Sequence, residues 1–400
     1  MQAHVLYIGG EDHNLRIPAM VALRDQGFRI TAAGTGDPGP FRDAGLPFEP
    51  YRLERFVAPL ADWNTCKELA LLMRRLAPDV VQSFDSKLGI LVPIAARRVP
   101  GPAVIRTING RGWVFSSRAP LALALRPIYR TLHRIGARST TATVFEIRED
   151  QAFFTDNRLL GPSRSVLVAG AGVDVQGFDA AFAGAAPSAQ LRQQLGLGDA
   201  PVVITVTRMT RQKGIPTLLQ AAALVHRQRP DVRFVLVGPR ESEGPVAVSA
   251  AEIARHAPYV IATGPRADVP ALLRMATMFA FPTEYREGVP RVLLEAALAG
   301  LPTVTTGIGG CSDVIRHGWS GLVAPLRDPA ATAELILQML ANPDQARAMA
   351  ERAAALVRQE FSLERVVASQ AALYRELLAS GMPPAADRVE AELVPLSATE

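Results

Sequence analysis

Short apolar runs alternate along this chain with longer stretches whose apolar residues recur at helical spacing. Apolar runs of about four to eight residues predict buried strands, and the 3.6-residue period predicts amphipathic helices. In the first half we predict strands at 4–10, 28–34, 78–84, 103–110 and 140–145, and helices at 15–26, 61–76, 88–98 and 121–137.

The same alternation starts again in the second half. We predict strands at 201–208, 231–238, 259–264, 277–282, 301–306 and 322–325, and helices at 215–228, 250–255, 268–275, 290–300, 330–340, 343–359 and 363–379. Strands that alternate with helices predict parallel sheets covered by helices on both faces. Because 400 residues exceed one ordinary core, we expect an α/β protein of two domains.

Composition narrows the class of protein and the kind of partner. Apolar residues make up 48% of the chain and charged residues 20%, which is typical of a globular protein. No apolar run is long enough to span a membrane, and no basic region precedes the first apolar run, so we expect no signal peptide. The net charge of +5 favours acidic partners such as nucleotides or phospholipids. No basic motif interleaved with aromatic residues is present, so we expect no nucleic acid.

The cysteines and histidines predict neither a disulfide framework nor a metal site. Cys66 and Cys311 are the only cysteines, which fits a reducing cytoplasm. The six histidines are scattered, and no Asp-x-Asp pair occurs. We therefore expect no bound metal.

The candidate functional stretch runs from Phe281 to Gly310. An apolar strand is followed by a charged loop with Glu287, and a helix then opens at Gly288, Val289 and Pro290 and ends at Gly300. The N–H groups of such a helix start suit an anion. Glu295 lies on this helix among apolar residues, so its carboxylate needs a partner or a cleft, and the hydroxyl pair of a ribose would suit it.

Two cations lie at an equivalent place earlier in the second half. Arg208 and Lys213 follow the strand at 201–208, where parallel sheets bind ligands. Their side chains could bind a diphosphate, Arg208 as a fork and Lys213 as a point charge. A solvated pair of loop charges is the alternative for these two residues taken alone.

Glycine patterns offer two further candidates in the first half. Gly34, Gly36 and Gly39 match G-x-G-x-x-G, but two prolines interrupt the motif and no helical pattern opens at Gly39, so we disfavour a dinucleotide site. The turn of Gly9 and Gly10 follows the first strand. It is either a ligand-binding loop or a plain tight turn.

A basic and aromatic segment from 108 to 138 suggests a membrane contact. Arg126, Arg130, Arg134 and Arg138 recur at i, i+4 spacing along one helical face, and Trp113 and Phe115 precede them. A solvated helix face would also show this pattern. We favour contact with an anionic membrane surface, because basic and aromatic residues together suit a bilayer interface.

These motifs resemble those of a known enzyme family. Glu287-x7-Glu295, preceded by Arg208-x4-Lys213, is similar to the signature of the retaining glycosyltransferases of family 4. The stretches EGVPRVLLEA and SVLVAGAGVDVQGF (165–178) and the loop from Thr107 to Phe115 resemble the branch that extends polyprenyl-diphosphate-linked oligosaccharides.

The resemblance implies a role for each candidate residue. Glu287 would contact the donor sugar, Glu295 the ribose, and Arg208 and Lys213 the donor diphosphate. The implied catalytic residues are Glu287, Arg208 and Lys213, and the implied donor-binding residues are Gly9, Gly10, Arg208, Lys213, Glu287, Gly288, Val289, Pro290, Arg291, Val292 and Glu295.

The resemblance also implies an architecture. We expect the GT-B fold, in which two Rossmann-like domains with parallel sheets face each other across a cleft. The expected parts are an acceptor-side domain at 1–180, a linker at 181–200, a nucleotide-sugar domain at 201–361, a helix at 362–380 that returns to the first domain, and a mobile tail at 381–400.

The implied reaction is transfer of a sugar, with retention and without metal or other cofactor. The donor would be a nucleotide-sugar, by family analogy a UDP-sugar, and the acceptor a glycan or polyprenyl-diphosphate-linked oligosaccharide in surface polysaccharide assembly. Such an enzyme would be cytoplasmic and peripheral at the inner face of the plasma membrane. A GT-B phosphorylase, a nucleotide-sugar epimerase, an NAD-dependent oxidoreductase and a non-catalytic sugar-binding scaffold remain as alternatives.

Overall fold

The chain folds into two compact units. The computed structural model describes residues 2–10, 12–54, 58–117, 119–170, 172–286 and 288–380, without the side chain of Glu241. The first unit combines the chain up to Gly172 with the final helix, which starts at Leu363, and the second unit runs from Val173 to Ser362.

The first unit is built on a sheet of seven parallel strands in the order β3-β2-β1-β4-β5-β6-β7. Its strands are β1 (His4–Ile8), β2 (Arg29–Gly34), β3 (Phe48–Pro50), β4 (Val80–Ser83), β5 (Ala103–Ile108), β6 (Ala142–Phe145) and β7 (Arg164–Leu167). Its helices are α1 (Ile17–Asp25), α2 (Gly39–Asp43), α3 (Pro59–Leu76), α4 (Leu88–Ala96), α5 (Gly112–Ser116), α6 (Pro120–Ala137), α7 (Arg148–Asp156) and the final α17 (Leu363–Ala379).

The first strand shows why this unit has helices on both faces. Successive side chains of a strand point to opposite faces of the sheet. Val5 and Tyr7 pack in one core cluster with α1 and α17. Leu6 and Ile8 pack in another with α3 and α4. Every residue of β1 is buried, as expected of a central parallel strand.

The second unit has six parallel strands in the order β10-β9-β8-β11-β12-β13. Its strands are β8 (Val202–Val206), β9 (Arg233–Val237), β10 (Val260–Gly264), β11 (Met278–Phe281), β12 (Thr303–Thr306) and β13 (Leu322–Ala324). Its helices are α8 (Val175–Ala183), α9 (Ser188–Gln194), α10 (Ile215–Gln228), α11 (Ala250–Ala254), α12 (Val269–Met275), α13 (Arg291–Leu298), α14 (Cys311–Val314), α15 (Pro329–Ala341) and α16 (Pro343–Glu360).

Most predicted elements are confirmed, and the differences have physical reasons. The edge strand β3 was missed because it is only three residues long, and α7 because polar residues dominate it. The prediction that no helix opens at Gly39 is wrong, since α2 starts there. Pro40 suits the first turn of a helix, and the Gly39 N–H donates to Asp37 Oδ1 at 2.9 Å.

The stretch predicted as a linker, 181–200, is instead largely structured within the second unit. It contains the end of α8 and all of α9. Leu191 and Leu197 are buried, and the Arg192 guanidinium donates to the Met275 carbonyl at 2.9 Å. The polar composition concealed these two anchoring leucines. The predicted tail, 381–400, lies outside the described residues.

Candidate functional site

The order of the second sheet creates one point where ligands are expected to bind. Chain connections run outward in opposite directions from β8 and β11, which are neighbours in the sheet. In open parallel sheets, ligands bind at this switch point, beyond the carboxyl ends of the strands. The loop after β8 contains Arg208 and Lys213, and the loop after β11 leads to α13 and Glu295. Both predicted groups of residues therefore belong to loops that flank the same switch point.

Arg208 is the more exposed of the two cations. Its side chain is 54% exposed, and its Nη1 donates to Glu243 Oε2 at 3.1 Å. An ion pair of this exposure is weak, so the guanidinium can exchange its partner at small energetic cost.

Lys213 occupies a much more enclosed position in the same loop. The residue is only 6% exposed, and its Nζ lies 5.7 Å from the ring centroids of both Phe281 and Tyr285. Aromatic faces attract an ammonium at this range. Gly214 follows with a φ of +69° and approaches the Pro282 carbonyl so closely that a Cβ would lie 1.8 Å from its oxygen. The β8 and β11 loops are thus packed tightly together around Lys213.

Glu284 holds the β11 loop in place and was not identified from the sequence. Its Oε1 accepts from the Thr217 hydroxyl at 3.2 Å, and its Oε2 accepts from Arg327 Nε at 2.5 Å. Its N–H donates to the Gln212 carbonyl at 2.9 Å. The sequence shows Glu284 only as a second glutamate three residues before Glu287. Its role was not predicted because its partners, Thr217 and Arg327, are distant along the chain.

Helix α13 starts directly after Pro290, which is its N-cap residue. Arg291 and Val292 form the first turn, where backbone N–H groups have no partner within the helix. Gly310 packs against the backbone of Gly288 and Val289, directly before α13. A Cβ at position 310 would lie 2.5 Å from the Gly288 carbonyl oxygen and 2.6 Å from the Val289 Cα. A glycine is therefore required at position 310 for this close packing beneath the start of α13.

Glu295 lies one turn into α13 and is partly buried. Burial raises the pKa of its carboxyl group, and Arg291 opposes that shift by donating from Nε to Glu295 Oε1 at 3.1 Å. The other predicted carboxylate, Glu287, lies outside the described residues.

Gly9 and Gly10 lie in the first unit, and the N–H groups of both have partners there. The Gly9 N–H donates to the Ala33 carbonyl at 3.0 Å, and the Gly10 N–H donates to Asp85 Oδ2 at 2.9 Å. A Cβ on Gly9 would lie 2.1 Å from the buried His13 ring. In this structure, packing and internal hydrogen bonds account for the two glycines, and neither N–H is available to a phosphate.

A polar cluster at the carboxyl edge of the first sheet was missed from the sequence. It contains Asp85, Asn109 and Glu146, which follow β4, β5 and β6 respectively. Asp85 has a φ of +75°, which is uncommon for a residue other than glycine and is found at functional sites. Burial raises the pKa of the Glu146 carboxyl to about 7, against the opposing effects of Arg16 and of the hydrogen bond from Asn109.

Three of the four arginines that recur along α6 form hydrogen bonds within the protein. Arg126 donates to the backbone carbonyls of Val114, Phe115 and Ser117. Arg130 and Arg134 donate to oxygen atoms of Asn157 at 3.0 and 3.1 Å. These bonds fix α6 to its neighbours and explain most of the basic row.

The aromatic residues before α6 differ from each other in exposure. Phe115, which the predicted membrane contact requires to be exposed, is buried against Tyr129 and Phe153, whereas Trp113 is 51% exposed. No helix of the described residues combines the length and apolar character needed to cross a bilayer. Within the same ranges, no three histidine, cysteine or acidic side chains form a group that could hold a metal ion.

The family profile named Glycosyl transferases group 1 matches residues 200–342. This range contains the whole switch point of the second sheet. An enzyme of Campylobacter jejuni, N,N'-diacetylbacillosaminyl-diphospho-undecaprenol alpha-1,3-N-acetylgalactosaminyltransferase, is 23% identical over 351 residues, which cover 87% of this chain and 91% of the relative.

A second relative and one solved structure extend the comparison. GDP-mannose-dependent alpha-(1-6)-phosphatidylinositol monomannoside mannosyltransferase of Mycolicibacterium smegmatis is 30% identical over 280 residues, 66% of this chain and 67% of its own. The Anabaena protein HepE, solved with UDP-glucose, has a TM-score of 0.74 at 19% identity and covers 94% of this chain and 99% of its own. The fold is therefore GT-B, and the chain belongs to the group 1 glycosyltransferases, as the motifs of family 4 implied.

Proposed function

We propose that the protein transfers a hexose from a UDP-sugar to a polyprenyl-diphosphate-linked oligosaccharide, or to another glycan of surface polysaccharide assembly, with retention at the anomeric carbon. The main support is the pair Arg208 and Lys213 at the switch point of the second sheet, opposite the loop that leads to Glu295. The Campylobacter relative is named for a diphospho-undecaprenol acceptor, and the Anabaena protein was solved with UDP-glucose.

The donor diphosphate is assigned to the cations of the β8 loop. Lys213 is held by the aromatic rings of Phe281 and Tyr285, so its ammonium is already positioned before a ligand arrives. Arg208 can exchange its exposed contact with Glu243 for a phosphate oxygen. The start of α13 adds N–H groups and its positive dipole end. Fixed positive groups of this kind stabilise a leaving diphosphate without a metal ion.

The two glutamates are assigned to different parts of the donor. Glu295 would accept hydrogen bonds from the ribose hydroxyls and exchange its exposed partner Arg291 for them. Glu287 would bind hydroxyls of the transferred sugar, as the motif implies. In the reaction, the bond between the anomeric carbon and the diphosphate breaks and the acceptor oxygen bonds to the same face of that carbon. The acceptor proton passes to the leaving diphosphate.

A donor with a guanosine nucleotide is the second candidate. The Mycolicibacterium relative is named as GDP-mannose-dependent. The alternative donor is therefore a GDP-sugar. The sugar and the nucleotide have to be tested together.

We also propose that the first unit rests on an anionic membrane through α6. Leu121 is 63% and Ile128 55% exposed, and their spacing of seven residues places them on one face of α6. Trp113 on α5 is also exposed. The exposed Arg134 lies on the same helix, and the exposed Arg138 follows its end directly. Apolar residues beside arginines suit the boundary between headgroups and acyl chains. Such a surface would bring a peripheral enzyme to a lipid-linked acceptor.

A thermal-shift screen with UDP-sugars, GDP-sugars, NAD and free sugars tests the donor assignment. We expect a UDP-sugar to give the largest increase in melting temperature, since a ligand that binds only the native state stabilises it. Stabilisation by NAD alone would favour an oxidoreductase. No response to any nucleotide-sugar would contradict the proposed function. Release of free UDP on addition of an acceptor distinguishes a transferase from a binding scaffold.

A further inference from the structure

Three polar residues that follow adjacent strands of the first unit are linked by consecutive hydrogen bonds. The Asp85 N–H donates to Asn109 Oδ1 at 3.1 Å, which directs the other end of the amide away from Asp85. Asn109 Nδ2 then donates to Glu146 Oε1 at 2.5 Å. One oxygen of the Glu146 carboxylate is thereby held by Asn109.

Glu146 faces a small pocket inside the first unit. The pocket is lined by Tyr7, Arg16, Thr107, Glu146 and Gln370, together with apolar residues. Its volume is about 20 Å³, which is enough for one water-sized group. A sugar ring does not fit into this space, but a single hydroxyl does.

The second oxygen of Glu146 is available to such a hydroxyl. No side chain or N–H within the described ranges forms a hydrogen bond to Glu146 Oε2. The walls of the pocket are held by their own bonds, because the Tyr7 hydroxyl donates to Gln370 Oε1 at 2.8 Å and Gln82 Nε2 donates to Thr107 Oγ1 at 2.8 Å. A rigid pocket with one unfilled carboxylate oxygen is prepared for a hydrogen-bond donor.

The pocket lies near the switch point of the first sheet. β1 and β4 are neighbours there, and the hydrogen bond from Gly10 to Asp85 joins the loops that follow them. Ligands of parallel sheets bind at this edge. The equivalent edge of the second sheet is already assigned to the donor. The edge of the first sheet is therefore the place for the second substrate.

We propose that Glu146, oriented by Asn109, binds a hydroxyl of the acceptor sugar in this pocket. The inference rests on the proposed glycosyl transfer and adds a residue that recognises the acceptor. An ionised carboxylate is the strongest acceptor available to a hydroxyl. The protonated form would bind less well, so binding of the acceptor should strengthen as Glu146 ionises.

Several charged groups act on this ionisation. Arg16 from the first loop favours the carboxylate, whereas Asp85 after β4 and Asp150 on α7 disfavour it. Arg111 forms ion pairs with Asp150 and with Glu149, each at 2.8 Å, and so partly offsets the charge of Asp150. Burial remains the main reason why the pKa of Glu146 rises to about 7.

Calorimetric titration of the full-length protein tests the proposal with two separate ligands. The first is UDP, and the second is N-acetylglucosaminyl diphosphate carrying a short alkyl chain, whose diphosphate diester does not titrate near neutral pH. We expect the wild type to bind the alkyl compound up to about tenfold more tightly at pH 8 than at pH 6, because a carboxyl with a pKa of about 7 is about tenfold more ionised at the higher pH. In Glu146→Gln we expect binding at pH 8 to fall at least tenfold and to lose this pH dependence, with unchanged UDP affinity.

Glu149→Gln is the matched control, since Glu149 lies three residues away and pairs with Arg111 outside the pocket. It should bind both ligands as the wild type does. Equal affinity of Glu146→Gln and wild type for the alkyl compound would overturn the proposal and leave a structural water as the occupant of the pocket. Equal loss of UDP affinity in Glu146→Gln would also overturn it. Failure of the wild type to bind UDP would instead contradict the proposed donor function.

Discussion

The Gly10 N–H donates to Asp85 Oδ2 at 2.9 Å and joins the loops after β1 and β4 at the switch point of the first sheet. Asp85 forms this bond from a left-handed backbone conformation with a φ of +75°. It also donates its own N–H to Asn109. Asp85 therefore connects the ends of three adjacent strands, β1, β4 and β5, and orients the Asn109 amide that contacts Glu146.

Two substitutions of Asp85 should separate the contribution of its side-chain hydrogen bond to stability from the cost of its left-handed backbone conformation. We expect Asp85→Ala to lower stability by about 1–2 kcal/mol, because a charge-assisted bond is lost while a Cβ remains in the left-handed region. The 40% exposure of the side chain keeps the figure low. Asp85→Asn retains an acceptor and tolerates the conformation, so its loss should be smaller. Urea denaturation measures both, and equal losses would contradict a role for the bond.

The pattern of apolar residues was sufficient to predict most of the fold. α10 and α17 have the predicted bounds, because each has a regular apolar face. β3 was missed because it is short, and α9 because only Leu191 anchors its small, polar sequence. The donor-site motifs lie around the switch point because each follows a strand directly. The alternative interpretation of Lys213 as a solvated loop charge does not fit the structure, because the residue is buried.

The first-unit cluster could not be predicted in the same way. Asp85, Asn109 and Glu146 are 24 and 37 residues apart along the chain and meet only because β4, β5 and β6 are adjacent. Spacing carries no sign of such a contact. The arginines of α6 are the opposite case. Their regular spacing can be recognised in the sequence, but the backbone carbonyls that accept hydrogen bonds from Arg126 cannot.

Lys213→Ala should reduce turnover by several hundred-fold, on the order of 3–4 kcal/mol, as loss of a group that stabilises developing charge does. Because Lys213 is buried beside Phe281 and Tyr285, some loss of melting temperature should accompany it. Arg211→Ala is the matched control, since Arg211 is an exposed cation of the same loop that pairs with Glu252. Steady-state rates of UDP release decide the matter, and a wild-type rate in Lys213→Ala would contradict its assigned role.

Glu146→Gln should stabilise the protein at alkaline pH. Burial raises the folded-state pKa of Glu146 to about 7, so the carboxyl stabilises the fold at low pH and this contribution is lost as pH rises through 7. Glutamine cannot ionise, so the variant should gain roughly 2–3 kcal/mol at pH 8 and little near pH 4.5. Urea denaturation at both pH values measures this. A variant that is less stable than wild type at pH 8 would contradict the burial of an ionisable carboxylate.

The protein should sediment with anionic vesicles and not with neutral ones, and high salt should weaken the association. Replacing both Leu121 and Ile128 with serine should lower vesicle affinity at least tenfold, since each buried aliphatic side chain contributes about 1.5–3 kcal/mol. Leu71→Ser on α3, where the leucine is 62% exposed, is the matched control. If the Leu71 variant loses binding and the α6 variant retains it, the membrane surface lies on α3.

Titration of UDP into the wild type, Glu295→Ala and Glu287→Ala tests the donor site most directly. The wild type should bind UDP. Glu295→Ala should bind it more weakly because a ribose contact is lost, and Glu287→Ala should bind it with nearly unchanged affinity but transfer no sugar. Equal loss of nucleotide affinity in the two variants would contradict the separate roles of the two glutamates. A wild type that binds neither UDP nor GDP would contradict a donor site at the switch point of the second sheet.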